Sequence, residues 1–184
     1  MIRYALTPIT PEYYEQAFQL YKLCWMQEKI NRDGMWQEQE EQRRRLRSFK
    51  NNKADIILTD EEPVGLIEMT EKPESLHLCE ICILPHNRNK GIGRQVITDL
   101  QHRAMQLGKA LTLKVHKANS RAQDLYHELG FRSVGESKSG QSFNLSWSPQ
   151  PVGQTWPPTQ CAGGRTDYAS LKTGRRILLL LPAP

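Results

Sequence analysis

Apolar residues along the chain fall first into a helical rhythm, then into short strand-like runs, then into an alternation of the two. A brief apolar stretch, Ile2 to Leu6, precedes Thr10-Pro11-Glu12, a helix start with proline at the first helical position. Ala17, Leu20, Tyr21 and Cys24 follow at helical spacing until Asp33-Gly34 breaks the pattern. A second helix is predicted over Met35 to Phe49, charged at most positions, with Trp36, Leu46 and Phe49 as its apolar anchors. Ala54 to Thr59 and Val64 to Met69 are short and rich in β-branched residues, and the turn residues Asp60 to Pro63 between them predict a hairpin. Leu76 to Leu84 is a longer strand closed by Pro85.

Gly91-Ile92-Gly93 then opens a helix with Ile92, Val96, Ile97, Leu100, Ala104 and Leu107 on one face, ended by Gly108. Leu111 to Val115 is the next strand, and Asn119 is a good N-cap for a helix that Gly130 terminates. Phe131 to Glu136 and Ser142 to Trp147 finish as strands. The order β-α-α-β-β-β-α-β-α-β-β predicts a mixed α/β domain over 1–147, antiparallel at first, with parallel crossovers around the two later helices. Beyond Trp147 the periodicity stops: six of the 11 prolines and four of the 12 glycines fall in residues 148–184. That composition predicts a flexible tail without a core of its own.

The formal charge of +5 invites a nucleic-acid partner until it is located. From Ser148 onward Arg165, Lys172, Arg175 and Arg176 face one acid, Asp167, so +3 belongs to the tail and +2 to residues 1–147. A nucleic-acid partner gains little from this. The longest apolar run, Ile177 to Leu181, is far short of a bilayer span. The N-terminus has no apolar signal core, so the expected location is the cytoplasm, with neither membrane nor metal as partner. Four cysteines in such a chain read as reduced thiols. Cys79-x-x-Cys82 has redox or zinc spacing, but nothing completes a four-ligand set, and the pair is expected to be two buried small apolar residues of a strand.

The chemistry concentrates between Glu80 and Phe131. Strand, loop and helix follow one another through Pro85-His86-Asn87-Arg88-Asn89-Lys90-Gly91-Ile92-Gly93. N–H groups at a helix start are unpaired and sit at the positive end of the helix dipole, which suits a phosphate. Glycines at 91 and 93 let it approach the backbone, and Arg88, Lys90 and Arg94 add positive charge. The triphosphate loop GxxxxGK[ST] is absent, and Val96 stands where the third glycine of the dinucleotide fingerprint belongs. A GxG before a helix is by itself as often a packing accommodation as a ligand site.

Ile81-x-Ile83-x-Pro85 followed by Arg88-Asn89-Lys90-Gly91-Ile92-Gly93 resembles the acetyl-CoA signature of the GNAT superfamily, whose core loop is Q/R-x-x-G-x-G/A. Some 26 residues after Gly93, the segment from Asn119 to Phe131 (NSRAQDLYHELGF) resembles that superfamily's other signature, N-x-x-A-x-x-L-Y-x-x-x-G-F. The resemblance covers the chain from its first strand to about Trp147. It implies a centrally split β-sheet flanked by helices, acetyl-CoA as co-substrate, and transfer of acetyl to an amine.

Roles follow from the resemblance residue by residue. The strand backbone at Ile81, Cys82 and Ile83 would hold the acetyl carbonyl and the pantetheine arm. The N–H groups of Arg88, Asn89, Lys90, Gly91, Ile92 and Gly93 would hold the pyrophosphate, and Asn119 and Ala122 would line the far side of the cleft. Tyr126 would protonate the departing thiolate, its plainer reading being a core aromatic beside Leu125 and Leu129.

The base is less legible. One branch of the family carries a glutamate on the strand after the phosphate-loop helix, where this chain has Lys114. Glu80 is the substitute, with an edge or salt-bridge residue as its plainer reading, and Glu68 is a weaker candidate. Trp25, Glu28, Asp33, Trp36, Glu38, Glu40 and Glu41 offer acids and aromatics to a cationic acceptor, their plainer reading being a solvated helix face, with Arg43-Arg44-Arg45 following at once. A small-molecule amine is the first acceptor class and a protein amine the second, with a second copy of the chain as a further partner. The rival from another class is a non-catalytic acetyl-CoA-binding or protein-interaction module on the same fold.

Overall fold

A computed structural model describes residues 3–51 and 53–149, so the tail expected over 148–184 lies almost wholly outside the described residues. The first strand, β1 (Ala5–Pro8), begins later than the apolar stretch suggests because its partner is Asp55 to Leu58. It is the sheet edge, where Pro8 leaves no interior ladder bond unmade. The first helix also starts late. Thr10-Pro11-Glu12 forms one 3-10 turn, Pro11–Tyr13, and α1 (Tyr14–Asp33) follows. α2 (Glu38–Asn51) begins after Trp36, not at Met35, and buries Phe49 as expected.

β2 (Lys53–Thr59) and β3 (Glu62–Glu71) make the predicted hairpin. Its two loop residues, Asp60 and Glu61, both have positive φ (50° and 65°), the twist that matches two flanking strands. β4 (Ser75–Ile83), α3 (Ile92–Gln106), β5 (Ala110–His116), α4 (Ser120–Glu128), β6 (Arg132–Glu136) and β7 (Ser142–Trp147) complete the domain in the expected order. Leu107, expected on the buried face of α3, is 45% exposed because the helix ends just before it.

The seven strands form one sheet in the order β1-β2-β3-β4-β5-β7-β6. Every neighbouring pair is antiparallel except β4 and β5. Both later helices are parallel crossovers: α3 joins β4 to its neighbour β5, and α4 joins β5 to β6 with β7 inserted between them. Alternation along each strand sorts residues between two faces. On one face Ile67, Leu76, Leu78, Leu111 and Leu113 pack with Val96, Ile97 and Leu100 of α3. On the other, Glu68 pairs with Arg45 of α2. Among the described residues no helix is long and apolar enough to cross a membrane.

Two irregularities open the sheet at its centre. β4 and β5 pair only from Ser75↔Ala110 to Leu78↔Leu113, after which β5 continues with β7 alone. At the same level the β3–β4 register steps from Met69↔Leu78 to Glu68↔Glu80, which leaves Cys79 as an extra residue on β4. Such a bulge bends the strand that carries it. The remainder of β4, through Ile83, therefore runs beside β3 with its opposite edge uncovered.

Candidate active site

The gap between β4 and β5 widens into an open cleft of about 1030 Å³. β4 forms one wall, the start of α3 the floor, and α4 the other wall. Glu80, Ile81, Cys82, Ile83, Asn119, Ala122 and Tyr126 all line it, as do Arg88, Asn89, Gly91, Ile92, Gly93 and Arg94. Lys90 is exposed and stands outside the lining, so its charge lies at the rim.

The loop from Arg88 to Gly93 has the geometry of an anion cradle. Asn89 (φ 64°) and Gly91 (φ 81°) are both left-handed, a backbone conformation that recurs in anion-binding concavities. Gln95 is the first residue of α3 to donate along the helix, to the Gly91 carbonyl at 3.0 Å. The N–H groups of Asn89 through Arg94 have no partner among the hydrogen bonds of the described residues. A Cβ built on Gly93 would meet nothing within 4 Å among the described residues beyond its own turn of helix, so the space before it is open.

The side chains around this loop behave differently from expectation. Arg88 does not direct its charge into the cradle. Its Nε donates to the Ile83 carbonyl at 2.9 Å, its Nη2 to the Cys24 carbonyl at 2.8 Å, and its Nη1 to Glu28 on α1. Its own N–H reaches the Pro85 carbonyl at 3.3 Å. Arg88 is thus a clamp between loop, strand and helix, and it occupies the Ile83 carbonyl, one of the strand groups expected to face the pantetheine. Arg94 pairs with Glu128 on α4. Arg121, which the motifs did not single out, reaches across to the Asn89 side chain. The Asn119 side chain accepts from the Ala122 N–H at 3.1 Å and so caps α4 as the sequence predicts.

Tyr126 stands both in the core and in the lining of the cleft. Its ring packs in the core, edge-on to Phe131 at 5.5 Å, and only 7% of the residue is exposed. Its hydroxyl makes no hydrogen bond with the described residues, and the residue lines the cleft. Burial, helped by the negative charge of Glu80, holds that hydroxyl protonated far above the usual tyrosine range.

Glu80 follows the bulged Cys79 on β4 and faces Glu68, with its side chain 19% exposed. Burial raises its pKa, Arg45 pulls it back and Glu68 raises it again, to about 7. Glu68, the weaker candidate, is fully buried and held by Arg45 at 2.9 Å and by the Ser48 hydroxyl, so it cannot meet an acceptor. Cys82 is buried as expected, but Cys79 is exposed, because the bulge turns it out of the core.

The acids expected to attract a cationic acceptor are mostly engaged. Glu28 holds Arg88, Asp33 holds Arg32, Glu38 holds Lys22, and Glu41 holds both Lys29 and Arg44. Glu40 is exposed. Trp25 does line the cleft, its indole Nε1 buried without a partner among the described residues. Lys114 lines it from β5.

Comparison with known proteins agrees with this architecture. Three solved structures share the fold. A PaiA N-acetyltransferase from Thermoplasma acidophilum, in complex with coenzyme A, is 18% identical with a TM-score of 0.61 over 80% of this chain and 100% of that one. The ribosomal-protein-S18-alanine N-acetyltransferase from Escherichia coli is 14% identical with a TM-score of 0.59 over 84% and 100%. Mutant forms of the spermidine/spermine N-acetyltransferase SpeG from Vibrio cholerae are 17% identical with a TM-score of 0.56 over 79% and 93%. At these identities the likeness is one of fold. No curated protein matches the sequence. The family model of the GNAT acetyltransferase domain matches residues 10–145, from the turn before α1 into β7. The chain belongs to the GNAT acetyltransferase family.

Proposed function

We propose that the protein is an N-acetyltransferase that moves acetyl from acetyl-CoA directly onto a primary amine, with a small-molecule acceptor favoured over a protein. The observation that carries this reading is the pairing of Tyr126 and Glu80 in one cleft. One is a hydroxyl without a partner among the described residues that keeps its proton, the other a carboxyl that exchanges its proton near neutrality. They lie close enough for the charge of Glu80 to act on Tyr126.

The residues present fit acetyl-CoA. The N–H groups from Asn89 to Arg94, unpaired among the described residues, suit the pyrophosphate, and the uncovered edge of β4 suits the amide-bearing arm, which can pair with it as a strand does. Bound there, acetyl-CoA supplies the acetyl group as a thioester, reactive enough for an aligned amine without an enzyme nucleophile. Glu80 takes a proton from the acceptor ammonium, directly or through one water, and frees the lone pair. Tyr126 gives its proton to the departing sulfur, and the second amine proton restores it.

Acceptors of the structural neighbours range from spermidine and spermine to a ribosomal protein alanine. Internal pairing of Glu28, Glu38 and Glu41 leaves little acidic surface for a polycation, which favours a compact amine seated between Trp25 and Glu80. The test is release of free thiol from acetyl-CoA across a panel of amines. Turnover with at least one amine well above hydrolysis is expected. Binding of acetyl-CoA with no acceleration by any amine or peptide would leave a non-catalytic module.

A further inference from the structure

Glu68 on β3 and Glu80 on β4 are cross-strand partners. Two carboxylates in that arrangement repel, and one of them is fully buried. α2 answers with Arg45, whose guanidinium enters between them over the ring of Tyr21, 4.7 Å from its centre. The arginine does not divide itself evenly. Its Nη1 lies 2.9 Å from Glu68 and 3.5 Å from Glu80, and its Nε is buried without a partner among the described residues. Glu68 also receives the Ser48 hydroxyl. The forked grip that an arginine gives a carboxylate is therefore withheld from Glu80.

Two further cations act on Glu80, and both are held elsewhere: Lys29 by Glu41 at 2.7 Å, and Arg44 by Glu41 at 2.6 Å. The remaining titratable groups that feel Glu80 are Tyr21 from α1, Tyr126 from α4 and Cys82 on β4 itself. Each stays neutral, with burial as the main cause. Arg45 is thus the nearest cation to Glu80, and Glu68 decides how much of its charge Glu80 receives.

We propose that the Arg45–Glu68 pair is a positioning device that sets how readily Glu80 takes up a proton. Arg45 and Glu68 do not touch the acceptor; they act through Glu80. A carboxylate gripped by an arginine stays ionised and is a poor proton acceptor, while two unscreened carboxylates would force one to remain protonated. Holding Arg45 mainly on Glu68 keeps Glu80 between these extremes. The consequence for turnover rests on the reading of Glu80 as the base.

The two halves of the pair carry opposite signs, which a merely structural role would not produce. Glu68→Gln keeps the side-chain volume and the Ser48 contact, and releases Arg45 to Glu80. The Glu80 pKa is expected to fall by about one unit or more, a ten-fold change in proton affinity. Arg45→Gln leaves the two carboxylates facing each other, and the pKa is expected to rise by a similar amount. Arg45→Lys retains the charge and gives a smaller rise, which covers the case that either of the other variants does not fold.

Carbon NMR titration of glutamate carboxyls in the full chain, with Glu80 assigned by its loss in Glu80→Gln, reads this without an acceptor. Opposite shifts in the Glu68 and Arg45 variants support the proposal. Shifts of the same sign, or none, overturn it. The acid limb of kcat/KM against pH is expected to move with the NMR midpoint. A midpoint that moves while the limb stays fixed supports the pair's control of Glu80 and removes Glu80 as the base.

Discussion

Arg88 reaches from the loop before α3 to Glu28 on α1, and the same guanidinium also holds carbonyls of β4 and α1. A residue that the motif alone assigns to the phosphate is in the structure a tie between three elements. Arg88→Met is therefore expected to lower stability by roughly 1–3 kcal/mol, the scale of lost hydrogen bonds to a charged group. Acetyl-CoA affinity should fall with it, because the loop loses its anchor. Thermal melts and calorimetric titration together check this. Full stability with weakened binding would mean instead that the arginine acts on the ligand.

Gly91 and Gly93 separate two effects that the sequence runs together. Gly91 holds a positive φ, so a side chain there is strained by about 1–2 kcal/mol whatever ligand is bound. Gly93 lies in the first turn of α3 with open space in front of its missing Cβ. Gly93→Val should leave the fold intact and weaken acetyl-CoA binding about ten-fold or more by filling that space. Unchanged affinity in a folded variant, measured by calorimetry, would move the pyrophosphate elsewhere.

Tyr126→Phe removes a hydroxyl that supports no other group among the described residues and leaves the ring on Phe131. Melting temperature and acetyl-CoA affinity should be unchanged. With a true acceptor, kcat should fall about 10²-fold, the scale of losing a general acid. Full turnover in the variant would return Tyr126 to its packing role alone.

Glu80 binds its proton more tightly in the folded chain, where its pKa is about 7, than in an unfolded chain, where the ordinary value is 4.5. Its contribution to stability is present in full below pH 4.5 and is lost as the pH rises through 7. Glu80→Gln cannot lose a proton and escapes this loss. The variant should exceed the parent chain by up to about 3 kcal/mol at pH 8 and by under about 1 kcal/mol at pH 5. Denaturant titrations at the two pH values check it; an equal offset at both would refute the shift.

Much of this was legible in the sequence because it depends on local order. Element boundaries follow from periodicity, proline and glycine, and the two motifs mark the loop and α4 where the cleft forms. What escaped depends on partners distant in the chain. The acids of α1 and α2 look available until Lys22, Lys29, Arg32, Arg44 and Arg88 are found on them. Arg45 reads as one member of a basic run, and only the β3–β4 register reveals that it stands between two carboxylates. The bulge that exposes Cys79 leaves no mark in the strand's own residues. Gly65 is equally silent: a Cβ there would lie 2.1 Å from the Cys82 carbonyl, so β3 and β4 can approach at the cleft wall only because nothing is attached.

The placement of β7 has a consequence for where the domain can be cut. Last in sequence among the described strands, it is interior in space, with β5 on one side and β6 on the other. Until Ser142 to Trp147 have docked, β5 beyond Leu78↔Leu113 has no neighbour on either side, and β6 has none at all. Shortening the domain from its C-terminal end by even a few residues would therefore not trim a margin. It would expose two sticky strand edges in the middle of the sheet, and self-association, not a smaller domain, is what such edges produce.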